Sequence, residues 1–249
     1  MRSLIYAELL KIRTTRMLAV TIGVVLVIAG ALPVVYGAAA GSGDLPPLVP
    51  ANLADMVTAP AWLAGGAVLL IGLLASAGEY RHRTIYTTRL AEPRPLRVLA
   101  AKLAAITVIG LAVGVAVDIV AAGAGGAVLA HHGLAIDPFS HGVPRLALVI
   151  PLVLVLHGIL GVAIGAVLRS TTAAVGATLI WAFVVEGIIP ALTNNPDLVN
   201  WLPRGALRDV LSTQPTPGQL APLAAAALLV GYAAALVATS AVLDRRREL

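Results

Sequence analysis

The sequence contains no cysteine, which removes disulfides, thiolate metal sites, cysteine nucleophiles and palmitoylation together. It is also poor in charge. Only 12% of its 249 residues are Asp, Glu, Lys or Arg, roughly half the fraction of an ordinary soluble domain. So few ionic groups cannot clothe a water-facing surface, so lipid must cover most of it. Enzyme signatures are missing as well. A phosphate-cradling loop needs Gly-Lys before Ser or Thr, but Lys11 follows Leu10 and Lys102 follows Ala101. Any ATP this protein uses is therefore hydrolysed on another chain. Neither His-Glu-x-x-His nor Gly-x-Ser-x-Gly occurs, which excludes the zinc-helix and nucleophile-elbow hydrolases. Glu186 lacks the paired acid and histidine of a glutamate-type intramembrane protease. No enzyme activity and no cofactor are expected.

What the chain has in abundance is apolar length. Hydrophobic residues make up 59%, the mean hydropathy is +0.94, and the apolar runs far exceed the length of barrel strands. Six spans are expected, at Met17–Ala40, Val57–Gly78, Leu103–Ala130, Leu146–Leu168, Thr172–Thr193 and Leu220–Leu243. Each is long enough to cross a ~30 Å hydrocarbon core as a helix. The reading is an all-α integral membrane protein with one membrane domain over residues 1–249.

The formal net charge is +5, but its placement points away from nucleic acid. Arg2, Lys11, Arg13, Arg16, Arg81, Arg83, Arg89, Arg94, Arg97, Lys102, Arg169, Arg245, Arg246 and Arg247 fall on one side of the alternating spans. Arg145, Arg204 and Arg208 fall on the other. The positive-inside rule then puts both termini in the cytoplasm. The composition, with plentiful Ala, Gly, Val and Arg beside two lysines, points to a GC-rich bacterial genome and hence the cytoplasmic membrane. The first apolar run is longer than a signal-peptide core, so it is read as an uncleaved span. Residues 1–16 are expected to form an amphipathic helix at the interface, with Ile5, Tyr6, Leu9, Leu10 and Ile12 on the apolar side. Glu8, Lys11, Thr14 and Thr15 fall opposite, Leu4 on the wrong face, and Arg13 on the apolar one.

Three ionisable residues fall inside the spans: Asp118, His157 and Glu186. A carboxylate at mid-bilayer costs about 2.5–3.5 kcal/mol on insertion scales, so such groups usually face protein or water and often mark a pathway. Each has a plainer reading too. Glu186 can reach interfacial water or Arg204, and His157 a carbonyl of a neighbouring helix. His131, His132 and His141 share one loop, which is read as solvated rather than metal-binding, because only Asp137 accompanies them. Gly110 with Gly114, and Gly161 with Gly165, have the spacing that lets helices approach closely.

The most informative stretch is GEYRHRTIYTTRLAEPRPLRVLAAK, residues 78–102. It is a basic loop with apolar Ile85, Tyr86 and Leu90, broken by Pro93 and by Pro95, which suits a helix first turn. Together with Glu8-Leu9-Leu10-Lys11-Ile12-Arg13-Thr14-Thr15-Arg16, Leu168-Arg169 and Trp201-Leu202-Pro203, it resembles the permease subunits of the ABC type-2 exporter family. The resemblance implies a cytoplasmic coupling loop at 79–102, with its coupling helix at roughly Glu79–Glu92, that touches a partner ATPase through Glu79, Tyr80, Arg81, His82, Arg83, Thr84, Ile85 and Arg89. It also implies a partly re-entrant external segment at 188–219 and pairing with a second permease copy or homologue. Arg83 stands where such chains commonly have glycine, which implies a different turn there. Two rivals come from other classes: a proton-coupled transporter using Asp118, His157 and Glu186, and a membrane anchor that conducts nothing.

Overall fold

The computed structural model describes residues 1–42, 46–137, 139, 142–193, 196–213 and 217–246. His141, Arg247 and residues 43–45, 138, 140, 194–195, 214–216 and 248–249 lie outside the described residues. Among the described residues every element is helical. In chain order they are α1 (Arg2–Arg13), α2 (Arg16–Ala39), α3 (Asn52–Arg81), α4 (Ile85–Ala91), α5 (Pro95–His131) and α6 (Val143–Leu168). Then come α7 (Thr171–Leu179), a π-helical segment (Ile180–Val185), α8 (Glu186–Thr193), α9 (Pro196–Trp201), α10 (Pro203–Leu211) and α11 (Pro222–Arg246).

Six helical stretches among the described residues are long and apolar enough to cross a membrane: α2, α3, α5, α6, the run Thr171–Ile188, and α11. They coincide with the six expected from hydropathy, but α3 and α5 run on past their apolar cores to Arg81 and from Pro95. The fifth is interrupted. Residues Ile180–Val185, carrying Trp181 and Phe183, wind as a π segment, which widens the helix locally.

The centre of the fold is the trio α3, α5 and α6, and its most extensive contact is α3 on α6. Between apolar helices in lipid, tight backbone approach must replace the hydrophobic drive available in water. Glycine supplies it here. A Cβ on Gly161 would fall on the Leu69 carbonyl, and one on Gly165 would lie 2.6 Å from the Leu73 oxygen. Both members of that spaced pair therefore face α3. Gly110 and Gly114 do the same for α5, lying against Val155 and Pro151 of α6. Around this trio few residues of α2 and α11 are buried, and fewer still in the fifth span.

The helix α1 turns a mixed face to the bundle. Glu8 and Ile12 are its buried residues, with Leu4, Ile5 and Leu9 half-buried beside them, while Tyr6 and Leu10 point away from the bundle. The inward stripe is thus 4, 5, 8, 9 and 12, a regular helical face. Leu4 belongs to it and Glu8 lies at its middle. The physical reason is that two lysines meet Glu8 inside the bundle, so a carboxylate displaces Tyr6 and Leu10 from the packed face.

The glycine contacts generate a paired test. Gly161→Ala should destabilise the protein by about 1–3 kcal/mol, since backbone rather than a flexible side chain stands in the way. Gly66→Ala, where nothing lies within 4 Å of the added methyl, should be neutral or stabilise by up to about 1 kcal/mol. Unfolding in mixed micelles measures both, and equal effects would remove glycine from the packing argument.

Candidate functional site

The loop between the second and third spans is built around α4. Helix α3 continues through Glu79, Tyr80 and Arg81, and the His82 N–H bonds back to the Gly78 carbonyl at 2.9 Å. Arg83 then takes φ 58°, the left-handed region that costs an ordinary residue about 1–2 kcal/mol. Glycine adopts this backbone more readily than arginine. Thr84 caps α4 without a side-chain hydrogen bond. At the other end the extended Arg94 and Pro95, in the first turn of α5, restart the chain.

None of the seven residues of α4 is buried. Tyr86 is 67% exposed and Leu90 86%, with Arg81, His82, Arg83 and Thr84 also outward. Two aromatic or aliphatic anchors ringed by cations thus stand off one end of the bundle. The other residues expected to contact a partner are turned inward. Ile85 is half-buried, Tyr80 lies beneath the Arg169 guanidinium at 5.2 Å, and Glu79 is buried.

Glu79 belongs to a charge cluster that the sequence alone does not reveal. Lys102 Nζ lies 2.8 Å from Glu8 Oε2 and 2.9 Å from Glu79 Oε1. Lys11 Nζ lies 2.6 Å from Glu8 Oε1 and 2.8 Å from Glu79 Oε1, and donates to Thr88 Oγ1 at 3.2 Å. Two cations and two anions from α1, α3 and α5 therefore neutralise one another, and Lys11 carries the connection on to α4. Burial alone pushes the Glu8 carboxyl up, but Lys102 and Lys11 hold it below the ordinary carboxylate range. Burial draws the Lys11 ammonium down, yet its hydrogen bonds to Glu79 and Glu8 hold it above the ordinary lysine range.

A second cluster closes the same end. Asp244, near the end of α11, pairs with Arg169 in the turn after α6 and lies 3.9 Å from Arg89 of α4. Arg169 is itself left-handed, at φ 52°. A cavity of about 30 Å³ separates the clusters, with Glu79, Tyr80, Ile85, Arg89, Lys102 and Asp244 among its walls. The signal available in the sequence was that both lysines and an isolated Asp244 fall next to apolar spans.

The three intramembrane groups do not meet. Asp118 is buried, and neither carboxyl oxygen has a hydrogen-bond partner among the described residues. His157 donates from Nδ1 to the Val153 carbonyl of its own helix at 2.8 Å and lies against Gly65. Glu186 accepts from Trp181 Nε1 at 2.7 Å, five residues back and across the π segment, and from the Arg204 backbone. No hydrogen bond links one of these groups to another among the described residues. His131 and His132 lie edge to face with ring centres 5.7 Å apart, and no metal-holding group of His, Asp and Glu occurs among the described residues.

At the opposite end of the bundle, α10 is locked by polar contacts. Arg145 donates to the carbonyls of Val210 and Ser212 at its C-terminus. Asp209, fully buried, accepts from Arg208 Nε at 3.0 Å and from the Leu220 N–H at 2.9 Å. Arg145 and Arg208 are therefore structural cations, satisfying helix-end carbonyls and a buried acid.

Breaking the first cluster has a defined cost. Lys102→Met leaves Glu8 and Glu79 buried and undercompensated, and should destabilise by about 3–5 kcal/mol, read as a loss of the unfolding midpoint in detergent. The pH dependence follows from Glu8 and Lys11. A carboxyl whose pKa is lowered from 4.5 on folding stabilises above that value and loses its contribution as pH falls through the folded pKa. An ammonium raised from 10.5 stabilises below that value and loses its contribution as pH rises through the folded pKa. The penalty of Glu8→Gln, measured against wild type at neutral pH, should therefore shrink as the solution is taken below pH 4.5. A penalty constant into acid would show that Glu8 is not held ionised.

Sequence similarity adds nothing to these assignments, for no protein-family model matches the chain and no curated protein does.

Proposed function

We propose that this chain is the membrane-spanning permease subunit of an ATP-driven exporter of the ABC type-2 class. It lies in the bacterial cytoplasmic membrane with both termini inside, pairs with a second permease copy or a homologue, and moves a hydrophobic or amphipathic substrate outward. ATP is hydrolysed on a separate subunit, and the permease catalyses no bond change. The observation that carries this reading is α4: a short helix with no buried residue, presenting Tyr86 and Leu90 outward beside the exposed Arg81 at the end of α3. Such a helix has no reason to exist as packing. Exposed aromatic and aliphatic anchors among arginines are what a protein partner engages. The basic residues concentrate at the same end, which the positive-inside rule assigns to the cytoplasm, where a nucleotide-driven motor works. Residues 1–16 then lie along the inner interface with Tyr6 and Leu10 toward lipid, and the region of α8 to α10 forms the external, partly re-entrant segment.

Proton coupling through Asp118, His157 and Glu186 has less behind it, because their partners are Val153, Trp181 and Arg204 rather than each other.

The test uses two outward residues that take no part in the internal ties. Arg81→Glu with Leu90→Ala should leave membrane insertion intact and reduce co-purification of an ATP-hydrolysing subunit from native membranes by about tenfold or more. Recovery at the wild-type level would remove α4 as the docking element. Transport by the chain alone in vesicles, driven by a pH gradient, would overturn the exporter reading itself.

A further inference from the structure

Because α4 buries nothing, apolar packing does not set its position. Ile85 is its only apolar side chain drawn even partly inward. Directional polar ties must do so, and they leave from adjacent residues toward different helices. Thr88 accepts from Lys11, whose ammonium is shared with Glu8 and Glu79. That tie leads to α1, α3 and, through Lys102, α5. Arg89 faces Asp244 at 3.9 Å, and Asp244 also holds Arg169, whose guanidinium covers Tyr80. That tie leads to α11 and to the turn between α6 and α7. Between them lies the cavity of about 30 Å³, room for one or two waters. Glu79 Oε2 is buried there without a hydrogen-bond partner among the described residues. The joint beneath α4 is thus polar and loosely filled, unlike the glycine-packed interior, and polar ties across such a space can break and re-form without opening a core.

We propose that Asp244 is a positioning residue that couples α4 to the sixth span, separately from the coupling of α4 to α1 and the third span through Thr88 and Lys11. The inference rests on the exporter reading for its purpose but not for its geometry. Among the described residues, a displacement of α4 then moves two groups of helices through separable contacts. Cutting the Arg89–Asp244 contact uncouples α11 while leaving the partner-binding face of α4 in place.

The absence of cysteine allows labelling without background. Spin-label pairs at Ala91→Cys with Val242→Cys, and at Ala91→Cys with Tyr6→Cys, report the two joints in the chain reconstituted in lipid nanodiscs. Asp244→Asn and Arg89→Gln should each widen the first distance distribution about twofold and leave the second unchanged. Thr88→Val should do the reverse, and Asp244→Glu should restore the wild-type width. Arg89→Gln keeps the Asp244–Arg169 pair, so it decides the matter even where Asp244→Asn fails to fold. Identical effects of Arg89→Gln and Thr88→Val on both distances, or no effect of either, would overturn the proposal. In the complex with the ATP-hydrolysing subunit, ATP should shift the distance between Val242→Cys and Ala100→Cys in wild type and in Asp244→Glu. That shift should be lost in Asp244→Asn with subunit binding unchanged. An undiminished shift there would refute the role of Asp244 and leave the exporter reading standing. If no such subunit assembles with wild type, the exporter reading fails, and the nanodisc distances still decide whether the ties are separate.

Discussion

The neutral quartet of Glu8, Lys11, Glu79 and Lys102 is the constraint around which one end of this protein is organised. Two carboxylates and two ammonium groups at this depth are tolerable only together, because each lone charge loses several kcal/mol of hydration on burial. Their mutual contacts, between 2.6 and 2.9 Å, fix which face of α1 turns inward and how far along α3 and α5 it sits. Well-packed apolar residues in place of the whole set are expected to match its stability. What the charges contribute is a single register, since sliding α1 by one residue would carry Lys11 off Glu79 and Glu8 off Lys102.

The six spans were readable because twenty consecutive apolar residues leave few alternatives to a lipid-crossing helix. The glycine pairs at 110/114 and 161/165 were readable for a related reason, since a four-residue repeat of small side chains is itself a surface. The side of α1 was not. Its apolar periodicity favoured Tyr6 and Leu10, and nothing local in the sequence announces that Lys102, ninety-four residues away, will draw Glu8 inward. Asp244 escaped for the same cause: its partners Arg89 and Arg169 lie far away in the chain and leave no local pattern. The π segment was hidden too, although Trp181 and Glu186 stand five residues apart, the spacing that such a turn brings together.

The interior and the periphery obey different rules. Where α3, α5 and α6 meet, backbones touch and an added methyl group has nowhere to go. In α2, α11 and the fifth span few residues are buried, and their backbone hydrogen bonds are already made within each helix, as a lipid surround requires. Polar side chains in this setting concentrate at the two ends, where they tie helix termini and short helices to the rigid trio. The interior Asp118 stands apart from that arrangement.

Both lysines of the sequence belong to the charge quartet, so apart from the amino terminus every primary amine in the protein sits at one mechanical joint. The Lys102 side chain is only 7% exposed and that of Lys11 43%. Acylating reagents therefore find one amine half open and the other shut, and the rate at which Lys102 is modified becomes a clock for the parting of α1 from α3 and α5. The molecule carries its own chemical gauge of that movement, with no label added.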